Sequence, residues 1–398
     1  MTYILFEIEE IQTNLLPFTY TRPIAHIRCG ILTIKEKWEK VLGEKVLLQC
    51  QEPLDDFFSD PLPKGPKLYI NSSLLPNPDI INRIKDLKDT EGIKNKDILL
   101  AYNSTENLDN ENLSTKQLFE LSDLFDKVDI IKNNWDIFKM NASQIKSDFE
   151  LLKANRKSAA ITDENTKVYG LENIFVEEGA VIKAAILNAE TGPIYIGKNA
   201  KIEEGAIIRG SFALCENSTV NTGAKIRGDS TVGPFSKVGG EVSNSVIFGY
   251  SNKGHDGFMG NSVIAEWCNI GADTNTSNLK NNYDEVKLWN FTSGRFEKTG
   301  EQFCGLIMGD HSKCGINTMF NTGTVVGVGA NVFGSGFPAN FIPSFFWGGP
   351  QGKATFSLKK MLETAEIVMK RRDVELNDKD RKILSLVFKH SAKFRPWD

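Results

Sequence analysis

The chain has 398 residues, of which 40% are hydrophobic and 25% charged, with a formal net charge of -4. This is the composition of a soluble globular protein too long for a single core. A slightly acidic balance gives no global attraction to nucleic acid or to an anionic membrane, and no run of about 18 apolar residues is present to span a bilayer. The cysteines Cys29, Cys50, Cys215, Cys268, Cys304 and Cys314 form no CxxC pair and are expected to be reduced and structural.

The chain opens on MTYILFEIEE, which lacks the basic region and cleavage site of a secretory signal, so a cytoplasmic location is expected. Across residues 1–135, short apolar runs (TYILF, KVLLQ, KLYI, DILLAY) alternate with helix-like stretches such as KEKWEKVL and DIINRIKDL. That alternation predicts an α/β domain with a largely parallel sheet, whose ligands would lie at the carboxyl ends of its strands. Residues 136–167, which include the polar stretch NRKSAAITDENTK, are expected to be a linker.

From Ile196 an aliphatic residue recurs every six positions: Ile202, Ile208, Leu214, Val220, Ile226, Val232, Val238. Four residues after most of these the side chain is small, as at Ala200, Ala206, Ser218, Ala224, Ser230 and Ser236. A second series runs through Met308, Cys314, Phe320, Val326, Val332 and Pro338. Neither a helix nor simple alternation has this period. It predicts a parallel β-helix over 168–345 with three flat sides per coil, each aliphatic residue pointing inward and each small one near a corner. The stacked aliphatics contribute roughly 1.5–3 kcal/mol per buried side chain. After Val238 the six-residue beat resumes two positions late, at Phe258, Ile264 and Ile270, which places a slip around His255. A second break, near residues 277–303, reads as a projecting loop or hairpin, and insertions of this kind tend to form the binding face of a solenoid. Residues 346–398 carry two amphipathic helices, SLKKMLETAEIVMKRR and DKDRKILSLVFKH, the latter capped by Asn377; both are expected to cover the end of the β-helix.

This organisation, and the stretch from Glu241 to Asn278 (EVSNSVIFGYSNKGHDGFMGNSVIAEWCNIGADTNTSN) above all, resembles the bifunctional N-acetylglucosamine-1-phosphate uridyltransferase/glucosamine-1-phosphate N-acetyltransferase family, in its divergent Bacteroidetes-type branch. The resemblance implies a nucleotidyltransferase-like α/β domain and a left-handed β-helix acyltransferase domain. It also implies a homotrimer with acetyltransferase sites between subunits. SNKGH matches the family's Ser-Lys-x-x-His, which puts the catalytic base at His255 and a substrate contact at Lys253. CNIGADTNTSN matches Asn-Ile-Gly-Ala-Gly-Thr, which puts a catalytic asparagine at Asn278, a sugar-phosphate contact at Asn269 and a thioester contact at Ala272. Arg227 falls at an arginine that holds the sugar phosphate, and Glu241 at an acidic residue beside the histidine. The reaction so implied transfers acetyl from acetyl-CoA to an amino-sugar phosphate in cell-envelope sugar biosynthesis, with nucleotidyl transfer and Mg²⁺ where that activity is retained. The product would be a UDP-N-acetyl sugar.

The chemistry suits those residue types. An amino sugar attacks a thioester only after losing a proton, which histidine, with an unperturbed pKa of about 6.5, accepts near neutrality. A carboxylate such as Glu241 could fix the tautomer, and an amide such as Asn278 could donate to the oxyanion. The glycines at 254 and 257 would let substrate approach the backbone. Several positions depart from the family: Phe258 replaces a sugar-contacting tyrosine, Ser243 a lysine, and Ile316 a serine near the thioester, with Lys280 or Lys287 as replacement cations. In the first domain, strand YILF leads into EIEEIQTNLLPF, with no glycine-rich phosphate loop. Arg22 stands at the family's Lys-Pro lysine, and Asn71 or Ser72 at its metal-binding aspartate. Three readings therefore remain: acetyl transfer, nucleotidyl transfer with the β-helix serving only trimerisation, and a non-catalytic module binding sugar nucleotide or coenzyme A. His255 can also be read as a structural turn residue.

Overall fold

In a computed structural model, residues 1–113, 121–123 and 128–397 are described, and the chain forms two compact units. The first comprises Met1–Leu15, Arg22–Ile27 and Leu32–Asp136, and the second Leu16–Thr21, Arg28–Ile31 and Ile137–Asp398.

In the first unit, strands β1 (Thr2–Phe6), β2 (Val46–Gln49), β3 (Lys67–Asn71), β4 (Gly92–Asn95), β5 (Ile98–Ser104) and β6 (Leu121–Asp123) pair in the order β2-β1-β3-β5-β4-β6. The sheet is mixed, which corrects the expectation of a largely parallel one: β1 is parallel to β2 and β3, but β5 runs antiparallel to β3 and β4. The sequence reason is Lys96-Asp97, a two-residue turn between β4 and β5 that can only make a hairpin, with Lys96 at φ 55°. Helices α1 (Glu9–Asn14), α2 (Ile34–Leu42), α3 (Asp55–Phe58) and α4 (Pro78–Lys85) belong to this unit. Helix α2 starts at a Thr33–Glu36 capping box and stops at Gly43, φ 72°. Its Trp38 is fully buried and donates to the carbonyl of Leu74 at 2.9 Å.

The second unit is a parallel β-helix. Face I runs from Lys167–Tyr169 to Met319–Phe320 and face II from Ile174–Val176 to Phe341–Ile342. Face III begins at Val181–Ile182 and continues through the bridges Asn252↔Asn269↔Lys313 to Asn331–Val332. The ladder residues Ile202, Ile208, Leu214, Val220, Ile226, Val232 and Val238 are all buried in one core, with Ala200, Ala206 and Ala224 filling corners. Truncating one methylene there, Ile202→Val, is expected to cost about 1 kcal/mol. Urea unfolding checks this, and a loss indistinguishable from zero would mean that the ladder is not close-packed.

The slip in the beat does not lie at His255. The inward residues after Val238 are Val242, Ile247, Lys253, Met259, Ile264 and Ile270, all at most 3% exposed. The shortened steps are those from Val238 to Val242, from Val242 to Ile247 and from Met259 to Ile264, whereas the step from Lys253 to Met259 that spans His255 keeps six residues. Gly239 and Gly240 make the tight corner: a Cβ would sit 2.5 Å from the Gly254 carbonyl at one and 2.7 Å from that of Gly257 at the other. Met259, not Phe258, is the inward residue. In the second series Pro338, six residues after Val332, is buried, and the next face II member, Ile342, follows it after only four residues.

Residues 136–167, expected to be a linker, carry most of a twenty-residue helix, α5 (Asn134–Lys153), before irregular chain leads into face I. The second break forms an antiparallel hairpin, Lys287–Asn290 with Arg295–Lys298, as expected. Helices α6 (Leu358–Lys370) and α7 (Asp378–His390) follow the β-helix. Asn377 caps α7 in a capping box, and Met361 of α6 packs on Gly329. Among the described residues no helix is long and apolar enough to cross a membrane.

Candidate active site

His255 stands at the corner where face III turns into face I, and its side chain is exposed. Two bonds hold that corner: Lys253 Nζ donates to the carbonyl of His255 at 2.5 Å, and Asn221 Nδ2 to that of Gly254 at 2.7 Å. Gly257 closes it at φ 113°, where a Cβ would come within 2.2 Å of the Thr274 carbonyl, so no other residue fits. The coils stack Gly271-Ala272 and Gly315-Ile316 on this corner, with Asn317 N donating to the Ala272 carbonyl at 2.8 Å. Ile316 is 70% exposed.

A cavity of about 740 Å³ opens here, and His255, Asn269, Ala272 and Ile316 all line it. Its floor is the outward side of face III, where Lys237, Asn252, Asn269 and Lys313 each precede or occupy a ladder bridge. One edge is an aromatic stack at the corner from face II to face III. Tyr250 and Trp267 lie 4.2 Å apart, continued by Phe235 at 4.9 Å and by His311 at 6.2 Å. All four take the left-handed backbone conformation, φ 52–61°, which costs roughly 1–2 kcal/mol each and is partly offset by stacking. The C-terminal end of α6 supplies Val368, Arg371 and Arg372, and Arg372 Nη2 donates to Asn252 Oδ1 at 3.1 Å. The lining therefore contains Lys237, Lys313, Arg371 and Arg372 but no carboxylate. Lys313 donates to the His311 carbonyl at 2.8 Å and burial lowers its pKa, yet an ammonium has two further N–H groups to offer a ligand.

The other predicted residues lie elsewhere. Lys253, expected to touch substrate, is 2% exposed and takes an inward ladder place between Val238 and Ile270. Burial pushes its ammonium down to about 8, with Asp256 and Asp273 opposing the shift. It supports the His255 corner from beneath. Glu241 and Arg227 meet each other on the face I side, Nε to Oε1 2.7 Å, so Arg227 rather than His255 engages this carboxylate. Asn278 is at the corner from face I to face II, where its Nδ2 donates to Asn261 Oδ1 at 2.8 Å. Ser243 lies on face I behind Glu241, and the half-buried Phe258 stacks on Glu241 in the same sheet.

Lys237, Lys313, Tyr250 and Trp267 were not singled out in the sequence. A signal for the lysines exists: on each coil, the residue before the face III ladder member points outward, and that column reads Lys201, Thr219, Lys237, Asn252, Asn269, Lys313. Arg371 and Arg372 carry no such signal, because their position depends on the path of α6.

In the first unit the predicted metal-side residues do not fit Mg²⁺. Asn71 and Ser72 are both 0% exposed. Asn71 donates to the Leu99 carbonyl and accepts from Ser73, while the Ser72 hydroxyl donates to the Phe6 carbonyl at 2.5 Å. Among the described residues no group of three His, Cys, Asp or Glu could hold a metal. Arg22 is 7% exposed and so is buried rather than presented at a surface. Where a glycine-rich phosphate loop would follow β1, Glu7 is buried and accepts from the backbone N–H groups of Ile24 (2.6 Å) and Gln51 (2.8 Å). Its own carboxylate thus uses donors of the kind that cradle phosphate.

Burial raises the Glu7 pKa to about 7, against the two hydrogen bonds. Its favourable contribution is present below pH 4.5 and is lost as pH rises through 7. Relative to Glu7→Gln, the wild-type melting temperature should therefore fall between pH 4.5 and 7. Parallel profiles for the two proteins would refute this.

An α/β unit joined to a hexapeptide solenoid, with a basic, histidine-bearing cavity on one face, defines a class of two-part proteins. Residues 3–157 match the model of the sugar nucleotidyl transferase family. The chain is 39% identical over 87 residues to the bifunctional protein GlmU of Methanocaldococcus jannaschii, covering 22% of this chain and 21% of the relative. It is 36% identical over 93 residues to a bifunctional sugar-1-phosphate nucleotidylyltransferase/acetyltransferase of Sulfurisphaera tokodaii, covering 23% of each. The matches thus span about a fifth of these relatives' lengths. Among solved structures, an Arabidopsis UDP-N-acetylglucosamine acyltransferase is 14% identical, covering 53% of this chain and 78% of its own, with a TM-score of 0.25, a likeness too slight to bear on activity.

Proposed function

We propose that this protein is a transferase that moves an acyl group from coenzyme A to the amine of a sugar, at the cavity beside His255. The observation that carries the reading is the convergence of His255, Asn269, Ala272 and Ile316 with Lys237, Lys313, Arg371 and Arg372 in one cavity that has no acidic lining. Coenzyme A is a phosphate-rich anion, and those four cations are its electrostatic complement. In the reaction the amine nitrogen bonds to the acyl carbon while the carbon–sulfur bond breaks. The amine's proton goes to the His255 imidazole, which hands it on to the departing sulfur, so coenzyme A leaves as the thiol and the imidazole returns to its neutral form. Acetyl-CoA is the donor and an amino-sugar phosphate of the glucosamine-1-phosphate type, or a nucleotide-linked amino sugar, the acceptor. Asn278 belongs to a different corner of the coil, so in this reading a neighbouring copy supplies it, within a cytoplasmic homotrimer.

A second reading, nucleotidyl transfer giving a UDP-N-acetyl sugar, rests on the family match of residues 3–157. The engaged side chains of Glu7, Asn71 and Ser72 weigh against Mg²⁺-dependent chemistry at the places the sequence predicts.

Calorimetric titration of coenzyme A tests the acyl-transfer reading. Coenzyme A should bind, and Arg371→Gln/Arg372→Gln should weaken it at least tenfold, with strong dependence on salt. Binding that ignores both the variant and the salt would place coenzyme A outside this cavity.

A further inference from the structure

The insertion builds a second cavity, at a different corner from His255. The chain leaves the corner from face I to face II at Asn278 and returns at Cys304, whose N–H donates to the Asn278 carbonyl at 2.9 Å. The Ser277 and Thr322 hydroxyls, 2.8 Å apart, tie its base to the next coil. In the hairpin Lys287 stands opposite Lys298, and Trp289 opposite Phe296. Directly opposed residues share a face, so these four side chains lie together while Leu288 is buried on the other side. Between this face and the last coil lies a cavity of about 630 Å³, lined by Trp289, Phe296, Phe341, Lys280, Lys287 and Asn340.

We propose that this cavity holds the nucleoside diphosphate portion of a nucleotide-linked sugar. Its wall is aromatic: Trp289 stacks on Phe341 at 4.1 Å and 8°, and Phe296 stands edge-on to Trp289 at 5.4 Å and 77° while remaining 40% exposed. Such a wall favours a planar ring. The rim is cationic. Lys280 Nζ gives one N–H to the Glu285 carbonyl at 2.7 Å and keeps two. Lys287 faces the like charge of Lys298, which is paired with Glu285 at 3.3 Å, whereas among the described residues Lys287 has no ion-pair partner. Like charges directly opposed across a hairpin repel, and a phosphate beside Lys287 relieves that repulsion. No carboxylate lines the cavity to oppose an anion. A bare sugar phosphate would use the lysines and leave the aromatic wall idle; a base linked to a diphosphate uses both. On the acyl-transfer reading, on which only this last step rests, the ligand is the acceptor, bound through its nucleotide next to Asn278.

The test is calorimetric titration of the whole protein with UDP, dTDP, GDP and ADP, beside inorganic pyrophosphate. At least one nucleoside diphosphate should bind tenfold or more tightly than pyrophosphate. Lys280→Gln/Lys287→Gln should weaken it at least tenfold, and His255→Ala should leave it unchanged. The proposal is overturned by the absence of any nucleoside diphosphate binding, by pyrophosphate binding as well as the nucleotides, or by the lysine variant titrating like wild type. Thiol release from acetyl-CoA judges acyl transfer separately: turnover that persists while the nucleotide titration fails would sink the hairpin site alone.

Discussion

Replacing His255 with alanine should lower kcat for acyl transfer by about 100- to 10,000-fold, the range of a lost general base, and leave the fold intact. The second half of that expectation follows from the corner's construction. His255 is exposed, and what fixes its backbone is the bond from Lys253 Nζ to its carbonyl, the bond from Asn221 to the Gly254 carbonyl, and the tight passage at Gly257. Alanine retains every one of these. Thiol release assayed beside thermal melting therefore separates chemistry from structure. If the variant turned over like wild type, His255 would be a turn residue, and the cavity's cations would need another catalytic partner.

Lys253→Met should stabilise the protein at neutral pH and impair the site. An ammonium sits in an apolar ladder, with Val238 before it and Ile270 after it, and burial lowers its pKa from 10.5 to about 8. A group whose folded pKa is depressed contributes its stability above the unfolded value and loses it as pH falls through the folded one. At pH 7 the penalty is fully present, roughly 3 kcal/mol from the size of that shift. Methionine fills similar volume without charge. Its advantage should be largest at pH 7, shrink between pH 8 and 10.5, and vanish above. Activity should fall at the same time, because the His255 carbonyl loses its donor. A variant less stable than wild type at pH 7 would show that the buried hydrogen bond outweighs the desolvation.

The lysine at position 253 also marks where the sequence was readable and where it was not. A six-residue aliphatic period is a direct image of the coil, so Ile202 to Val238 could be placed on three faces by counting. The count failed once Gly239-Gly240 shortened a corner, because backbone closeness between two glycine-bearing coils leaves no trace in hydrophobicity. The two-position slip was visible, but the location of the shortened steps was not, and a polar residue at the inward place of 253 hid the true register. His255, Asn269, Ala272 and Ile316 were legible together because equivalent corners of successive coils stack. The partners of Glu241, Asn71 and Ser72 depended on neighbours distant in sequence, Arg227, Leu99 and Phe6, which no local pattern announces. The basic half of the cavity came partly from α6, whose route over face III is a tertiary fact.

The central claim is that the cavity at His255 transfers an acyl group, and the most direct measurement is release of free thiol from acetyl-CoA. The purified protein would be offered a panel of amino-sugar phosphates and nucleotide-linked amino sugars, with sedimentation recording its assembly state. The account predicts acceptor-dependent thiol release by a trimer, with a nucleotide-linked amino sugar the better acceptor and with the activity lost in His255→Ala. A well-folded trimer that releases no thiol with any acceptor would contradict it.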